Sequence, residues 1–434
     1  MSCNEWKEYA LKDLIDIKHG YAFKGKFFSE EETNLILLTP GNFKIGGGFQ
    51  AKKLKYYSKD GGVPEQYILR ENDILVTMTD LSKSGDTLGY PIKVPVLENK
   101  ILLHNQRLGK VEIKSDKIDK DFLYYLMCSN KYRNEVLASA TGTTVKHSAP
   151  DRILKFEFGL PSIEEQQKIA NILSCLDDKI ELNNEMNKTL EEMAQSLFKR
   201  WFVDFEFPNE DGEPYKSSGG EMVDSELGMI PKGWEVKTIG DLCEVGSSKR
   251  IFMKEYVDSG VPFYRGKEII EKSKGNSVST ELFITKERFE EIKEKFGVPN
   301  KNDILLTSVG TLGVAYLVGD EDFYFKDGNL TWFKNFKKEA YRYFIYKWII
   351  SSEGKKSIDA ITIGSTQKAL TINALKGMKL TVPSNDILSL FEGFIKSNIS
   401  NIRSNNEEKN NLIDIRDSLL PKLMSGEISL NNII

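Results

Sequence analysis

Two short stretches combine a glycine, hydroxyl groups and a lysine: Gly142-Thr143-Thr144-Val145-Lys146-His147 and Gly364-Ser365-Thr366-Gln367-Lys368-Ala369. A turn of this composition offers backbone N–H groups, side-chain donors and one positive charge to a phosphate oxygen, the chemistry of a nucleic-acid backbone contact. The candidates are Thr143, Thr144, Lys146 and His147 in the first stretch, and Ser365, Thr366, Gln367 and Lys368 in the second. The same residues also suit a plain structural turn leading into the next strand, and both readings stand at this level. Thr77, Thr79, Thr307 and Ser308 follow apolar runs and extend the set as hydroxyls expected in loops near the same surface.

Other chemistry finds little support. Gly20-Tyr21-Ala22-Phe23-Lys24-Gly25-Lys26-Phe27 has the spacing of a phosphate-binding P-loop, but Phe27 stands where a Ser or Thr should ligate Mg²⁺. Glu112-Ile113-Lys114 could be the tail of a metal-dependent nuclease site, yet no matching tripeptide follows later. The three histidines, His19, His104 and His147, lie apart and lack helical metal spacing. Neither an Asn-Pro-Pro-aromatic methyltransferase signature nor a Gly-x-Ser-x-Gly elbow occurs. The expectation is a chain with no catalytic residue, no metal site and no cofactor of its own.

The two Gly/hydroxyl/Lys stretches are copies of each other. A shift of 222 positions superposes Phe122 on Phe344, Tyr124 on Tyr346, Gly142 on Gly364 and Lys146 on Lys368. Nearer the start of each copy the shift is slightly larger: Trp6 meets Trp234, and Asn72-Asp73-Ile74-Leu75 meets Asn302-Asp303-Ile304-Leu305. The period is too long for a solenoid of 20–50-residue repeats. It is a duplicated domain with a trailing helix, suited to a target that itself has two halves.

The positioning elements follow from patterning. Leu35–Leu38, Asp73–Thr77, Lys110–Ile113 and Phe156–Leu160 are short apolar or alternating runs bounded by turn residues, hence strands. Phe122 to Leu137 has helical spacing. Ser162, followed by Glu164 and Glu165, is a good helix N-cap. Beyond it Ile169, Leu173, Leu176 and Ile180, then Leu190, Met193 and Leu197, step by three and four in a narrow coiled-coil seam. The second copy repeats the seam with Phe391, Ile395, Ile402, Leu412, Ile415 and Leu419, with Asn398 where the first has Leu176. Each helix of about 40 residues would span ~60 Å and needs a partner, most simply the other copy packed antiparallel. Asn183, Asn184 and Asn187 interrupt one seam and Asn405, Asn406 and Asn410 the other; they either meet and set the register or are solvated.

The expected organisation is a first mixed α/β domain over 1–160, a helix over 161–204, an acidic surface linker over 205–230, a second domain over 231–382 and a second helix over 383–434. The fold class is α+β, with two related domains joined by two long antiparallel coiled-coil helices. At 434 residues with 40% hydrophobic and 29% charged side chains, the composition is that of an ordinary soluble protein. No stretch reaches the ~18 apolar residues of a membrane span. The opening residues carry no basic-then-apolar leader, and four dispersed cysteines fit a reducing cytosol, so a cytoplasmic location is expected. The net charge of −4 hides an asymmetry: +3 and +5 in the two domain blocks, −4 and −2 in the helices and −6 in the linker. A phosphate backbone feels the local field, so the acidic total does not exclude DNA.

Taken together, these residues resemble the specificity subunit of Type I restriction-modification systems over essentially the whole chain. The resemblance rests on the Gly-Ser-Thr-Gln-Lys element at 364–368 and its counterpart at 142–147. It rests also on Leu160-Pro161-Ser162-Ile163-Glu164-Glu165-Gln166, which is similar to the family's LPxxxEQ helix start, on Phe198-Lys199-Arg200-Trp201-Phe202, and on Gly233-Trp234. It implies two target-recognition domains that each read half of a bipartite double-stranded DNA sequence. It implies too that the helices dock two methyltransferase subunits, which bring S-adenosylmethionine, while motor-nuclease subunits bring ATP and Mg²⁺. The second helix departs from the pattern at Pro383-Ser384-Asn385-Asp386, where the Glu-Glu-Gln run is missing. Two other readings compete: a fused restriction or modification enzyme with an unrecognised active site, and a coiled-coil scaffold that binds only proteins.

Overall fold

The longest elements are two helices, Ile163–Phe198 and Asn385–Met424. Ser162 starts the first: its hydroxyl accepts the Glu165 N–H at 3.3 Å, and Glu164 and Glu165 lie in the first turn where the helix dipole favours acids. The computed structural model describes residues 6–364 and 368–430. The chain divides into two units, residues 1–179 with 412–434, and residues 180–411. Each long helix therefore contributes one segment to each unit.

In the first unit, Ile169, Ala170 and Leu173 share a core with Leu423, and Asp177 pairs with Arg416 at 2.7 Å. Rising numbers on one segment meet falling numbers on the other, so the segments are antiparallel. In the second unit three of the six asparagines expected to interrupt the seams, Asn187, Asn405 and Asn406, meet one another, while Asn184 bonds Glu181 on its own helix and Asn410 the Gly275 carbonyl. Asn187 donates to Asn406 at 3.0 Å and accepts from Asn405 at 2.9 Å, Asn183 donates to Glu408 at 2.9 Å, and Asn398 donates to the Leu190 carbonyl at 2.9 Å. Side-chain amides that bond only at one offset fix which turn faces which. The pairing is again antiparallel.

Most of the expected seam is interior. Ile169, Leu173, Ile180, Phe391 and Ile395 are buried, and Leu176, Leu190, Leu197, Ile402, Leu412 and Leu419 are half-buried. Two members are not: Met193 is 51% exposed and Ile415 46% exposed. In the second unit buried Ala194 takes the place beside Met193, one residue further round the helix. The stripe is rotated from where the larger side chains point.

Each unit is built on the same four-stranded antiparallel sheet. In the first, the order is Ile15–His19, Leu108–Ile113, Ile74–Thr77, Pro91–Lys93. In the second it is Glu244–Gly246, Leu330–Lys334, Ile304–Thr307, Ala315–Leu317. Even the register repeats: Leu108 faces Thr77, and Leu330 faces Thr307. A two-strand ladder closes each domain, Lys7–Ala10 on Glu157–Leu160 and Glu235–Thr238 on Lys379–Val382. A helix pair covers each sheet. The expected single helix from Phe122 breaks at Ser129 into Lys120–Cys128 and Asn130–Ala138, because the Ser129 hydroxyl caps the second piece. Ser351 does the same between Glu339–Ile350 and Ser352–Ala360.

Beside this shared frame the units differ. The first carries a mixed sheet, Phe28–Ser29, Lys55–Tyr57, Leu35–Leu38, Ile101–His104. The second carries three strands, Phe283–Ile284, Val261–Tyr264, Tyr324–Phe325, with helices Gly266–Ser273 and Lys286–Lys295.

The acidic stretch expected as a free surface linker is anchored in the second unit. Phe207 stacks between Tyr215 (4.6 Å) and Trp234 (4.8 Å), and Phe202 packs on Phe391 at 4.7 Å and Phe344 at 5.0 Å. Aromatic burial outweighs the Gly, Ser and acidic content around it. The P-loop-like segment is organised around its aromatic residues. Phe23 packs edge-on against Tyr57 at 5.0 Å and Tyr21 against Phe23 at 5.1 Å, so its spacing serves an aromatic core.

Candidate nucleic-acid interface

Residues 141–147 form a tight hairpin. Thr141 and His147 exchange backbone hydrogen bonds at 2.9 and 2.8 Å, and Gly142 sits at φ +97°. A Cβ there would lie 2.0 Å from the Val145 carbonyl oxygen, so glycine is required on both counts. The hairpin is tied to the end of the central sheet: Lys146 pairs with Asp80, His147 with Thr79, and the Ser148 N–H reaches the Met78 carbonyl at 3.0 Å. The tip is left outside, with Thr143 and Thr144 exposed, Lys146 half-buried and His147 exposed. His147 Nδ1 and the Thr79 hydroxyl are 3.0 Å apart, which orients the ring.

The second unit repeats the arrangement. Ile363 and Ala369 exchange backbone hydrogen bonds at 3.0 and 2.9 Å, Ala369 bridges to Val309, and the Leu370 N–H reaches the Ser308 carbonyl at 2.9 Å. Gly364 has φ +89° and Lys368 is exposed. Ser365, Thr366 and Gln367 lie outside the described residues. In each unit, then, a lysine-bearing turn is pinned beside the loop that follows the central strand.

The four hydroxyls expected in accessible loops are instead internal. Thr77 is buried and donates to the Thr87 carbonyl. Thr79 is buried against His147. The Thr307 hydroxyl accepts the Val314 N–H at 2.9 Å, and Ser308 shares a 2.6 Å hydrogen bond with Thr331. Their partners lie 7 to 68 residues away, and a hydroxyl bonded inside the domain shapes the loop rather than presenting itself to a ligand.

Two residues missed in the sequence organise the loop 80–90. The Asp80 carboxylate accepts the Ser82 N–H at 2.7 Å, the Thr87 N–H at 2.5 Å and the Thr87 hydroxyl at 2.6 Å. Burial pushes Asp80 up, but the hydrogen bonds from Thr87 and Ser82 outweigh it and hold the carboxyl below its usual value. Arg133 is buried, donates to the Gly85 carbonyl and stacks over the Tyr90 ring at 4.8 Å. The only local signal was Asp80 two residues before Ser82, an Asx-turn pattern common in any loop.

His104 is a core residue: it bonds the Leu108 carbonyl at 2.9 Å, and burial pushes it down to about 4. Glu112 is exposed on the inner strand Leu108–Ile113, 3.9 Å from Lys18. Among the described residues no three His, Cys, Asp or Glu side chains gather as a metal site, and no helix is long and apolar enough to cross a membrane.

The helix start that carried part of the resemblance has an internal task. The Gln166 amide donates to the Lys117 and Pro161 carbonyls, both at 2.9 Å, and accepts the Asp119 N–H at 2.8 Å. In the second copy Leu388 is buried at the matching position. The missing Glu-Glu-Gln run thus exchanges a polar tie for an apolar one.

The duplicated frame, with a pinned segment in each copy, makes this a two-domain chain built on an internal repeat. The sequence profile of the Type I restriction modification DNA specificity domain matches residues 4–192 and again 231–411. The chain belongs to the family of Type I restriction-modification specificity subunits. It is 30% identical to the MjaIX specificity subunit of Methanocaldococcus jannaschii, over 82% of this chain and 78% of that protein. It is 24% identical to the HindI specificity subunit of Haemophilus influenzae, over 98% of this chain and 100% of that one. The S subunit of a Type I system from M. genitalium has the same fold, with a TM-score of 0.56 over 98% of this chain and 97% of that chain at 18% identity.

Proposed function

We propose that the chain reads a bipartite double-stranded DNA target, one half per domain, and that chemistry is left to other polypeptides. The observation that carries this reading is the repeated sheet with a bridged residue pair beside it, Thr141 with His147 in one unit and Ile363 with Ala369 in the other. Lys146 and Lys368 contact phosphate, while the flanking segments that differ between the units read base edges in the major groove. Different flanks on one frame give different half-sequences. The discrimination multiplies, since mismatches in separate positions each cost ~1–3 kcal/mol roughly independently.

The helices dock two methyltransferase subunits. Support comes from apolar side chains left outside at positions matched by the duplication. Ile172 and Ile415 are exposed in the first unit, and Phe394 and Met193 in the second. A shift of 222 relates Ile172 to Phe394 and Met193 to Ile415. Equivalent apolar positions on two segment pairs suit two copies of one partner. Under this reading S-adenosylmethionine sits in those partners, ATP and Mg²⁺ sit in motor-nuclease subunits, and the assembly works in the cytoplasm.

The test is co-expression with the cognate methyltransferase, followed by mapping of methylated adenines. The expected result is two short motifs at a fixed gap. Lengthening both helices by the same few residues changes the gap and leaves both half-sequences unaltered. A single continuous motif, or a change of bases in place of the gap, would overturn the reading.

A further inference from the structure

Within the second unit a cavity of about 830 Å³ lies between the helix segments and the recognition domain, in the size range of small-molecule sites. Apolar Leu317, Ile350 and Ile399 line part of it. Most cations around it are matched. Lys347, fully buried, holds Glu191 at 2.8 Å; Lys272 holds Glu321 at 2.9 Å; Arg403 donates to the Leu317 and Val318 carbonyls at 3.3 and 2.9 Å.

Lys409 is different. It lines the same cavity, is only 5% exposed, and has no hydrogen-bond or ion-pair partner among the described residues. The duplication aligns it with Asn187, which has two amide partners. An asparagine of one copy has therefore become a buried lysine in the other. Burial pushes the Lys409 ammonium down, with nothing to offset it. The ammonium itself keeps some solvent contact, yet an unpaired cation so largely covered is less favourable than one with a counter-charge beside it. Lys355, exposed and lining the same cavity, supplies a second ammonium. Asp320 and Glu407 line the cavity too, but neither is within ion-pair distance of Lys409, and lysine is a common point-charge partner of phosphate.

We propose that this cavity binds a small phosphate-bearing molecule, its oxyanion held by Lys409 and its uncharged part lying against Leu317, Ile350 and Ile399. The site is separate from the hairpins and independent of the DNA reading proposed above.

The experiment is calorimetric titration of the full chain with inorganic pyrophosphate and with AMP at matched ionic strength. Saturable binding of at least one probe is expected. Lys409→Met should weaken it roughly ten-fold or more, the loss of one charge-assisted hydrogen bond. That variant should melt no lower than the parent, since it removes an unmatched charge. The unaltered protein gives a second readout: amine acylation followed by peptide mass spectrometry should show Lys409 protected by the bound probe. Absence of saturable binding by both probes, unchanged affinity in Lys409→Met, or labelling of Lys409 indifferent to both probes would each overturn the proposal. So would protection by a duplex oligonucleotide alone, which would make the phosphate that of DNA.

Discussion

The two halves share a sheet, a hairpin and a helix pair, yet they join their domain to the long helices by different chemistry at one matched position. Tyr125 and Lys347 are related by the shift of 222. Tyr125 donates to Asp177 at 2.8 Å, and that carboxylate also holds Arg416 at 2.7 Å. Lys347 is buried and holds Glu191 at 2.8 Å. The first joint is a neutral hydroxyl on an existing ion pair; the second is an ion pair in its own right. What the duplication preserves is the place of the joint, and what it leaves free is the energy stored there.

The largest expected effect lies in the aromatic cluster around Phe202 of the second half, where the first half has no aromatic at the matched position. Phe202 contacts Phe198, Phe344, Phe391 and Trp234, whereas the matched residue of the first half is the half-buried Met424. Phe202→Ala should cost about 3–5 kcal/mol of second-unit stability. Hydrogen exchange read by peptide should show weaker protection in residues 180–411. Equal weakening in the first unit would break the comparison.

The joints themselves come next. Glu191→Ala leaves Lys347 buried and unpaired, at about 2–3 kcal/mol once the partial exposure of Glu191 is discounted. Tyr125→Phe removes one hydrogen bond from a carboxylate that keeps its arginine, at about 1 kcal/mol. Denaturant midpoints of the two variants measure the difference. Equal losses would mean that the buried charge at Lys347 is compensated by some other group.

Function offers a parallel pair. Gly142→Val forces a side chain onto the Val145 carbonyl at a positive φ and should unseat the first hairpin. Losing the phosphate contact that seats the flanking base-reading segments should relax the bases in one half of the methylated target, with discrimination falling by ~1–3 kcal/mol at each base pair no longer read, and leave the other half intact. Gly364→Val should relax the opposite half. Relaxation of both halves by either variant would show that the hairpins act on overall affinity and not on reading.

Much of this frame was legible because it is written in large apolar side chains whose spacing survives duplication. Asn187 meeting Asn405 and Asn406 was legible only as one of two readings, since paired breaks in two seams serve equally as solvated positions. Three features were hidden. Alanine carries little hydrophobic signal, so Ala194 was invisible as a seam residue while Met193, larger yet exposed, stood in its place. The hydroxyls of Thr77 and Thr307 face inward because of partners in loops 10 and 7 residues further on, respectively, and strand periodicity says nothing about such a partner. Phe207 and Tyr215 were masked by the acidic and Gly-rich residues around them, whose average resembles a linker although the two rings stack.

The smallest effect separates the loops beside the two hairpins. Asp80 closes the first by accepting hydrogen bonds from Ser82 and Thr87; the matched residue of the second is Gly310, which has no side chain to do so. The folded Asp80 carboxyl lies below its ordinary value, held there by those hydrogen bonds against the opposing effect of burial. A depressed carboxylate contributes stability above its unfolded pKa, near 3.9, and loses it as pH falls through the folded value. Asp80→Asn should therefore lower stability by about 1 kcal/mol near neutrality. The gap between variant and parent melting temperatures should close as pH drops below ~4. A gap that stays constant down to that pH would assign the loop's order to Arg133 and its stacking on Tyr90, and Arg133→Met would then show the larger effect of the two.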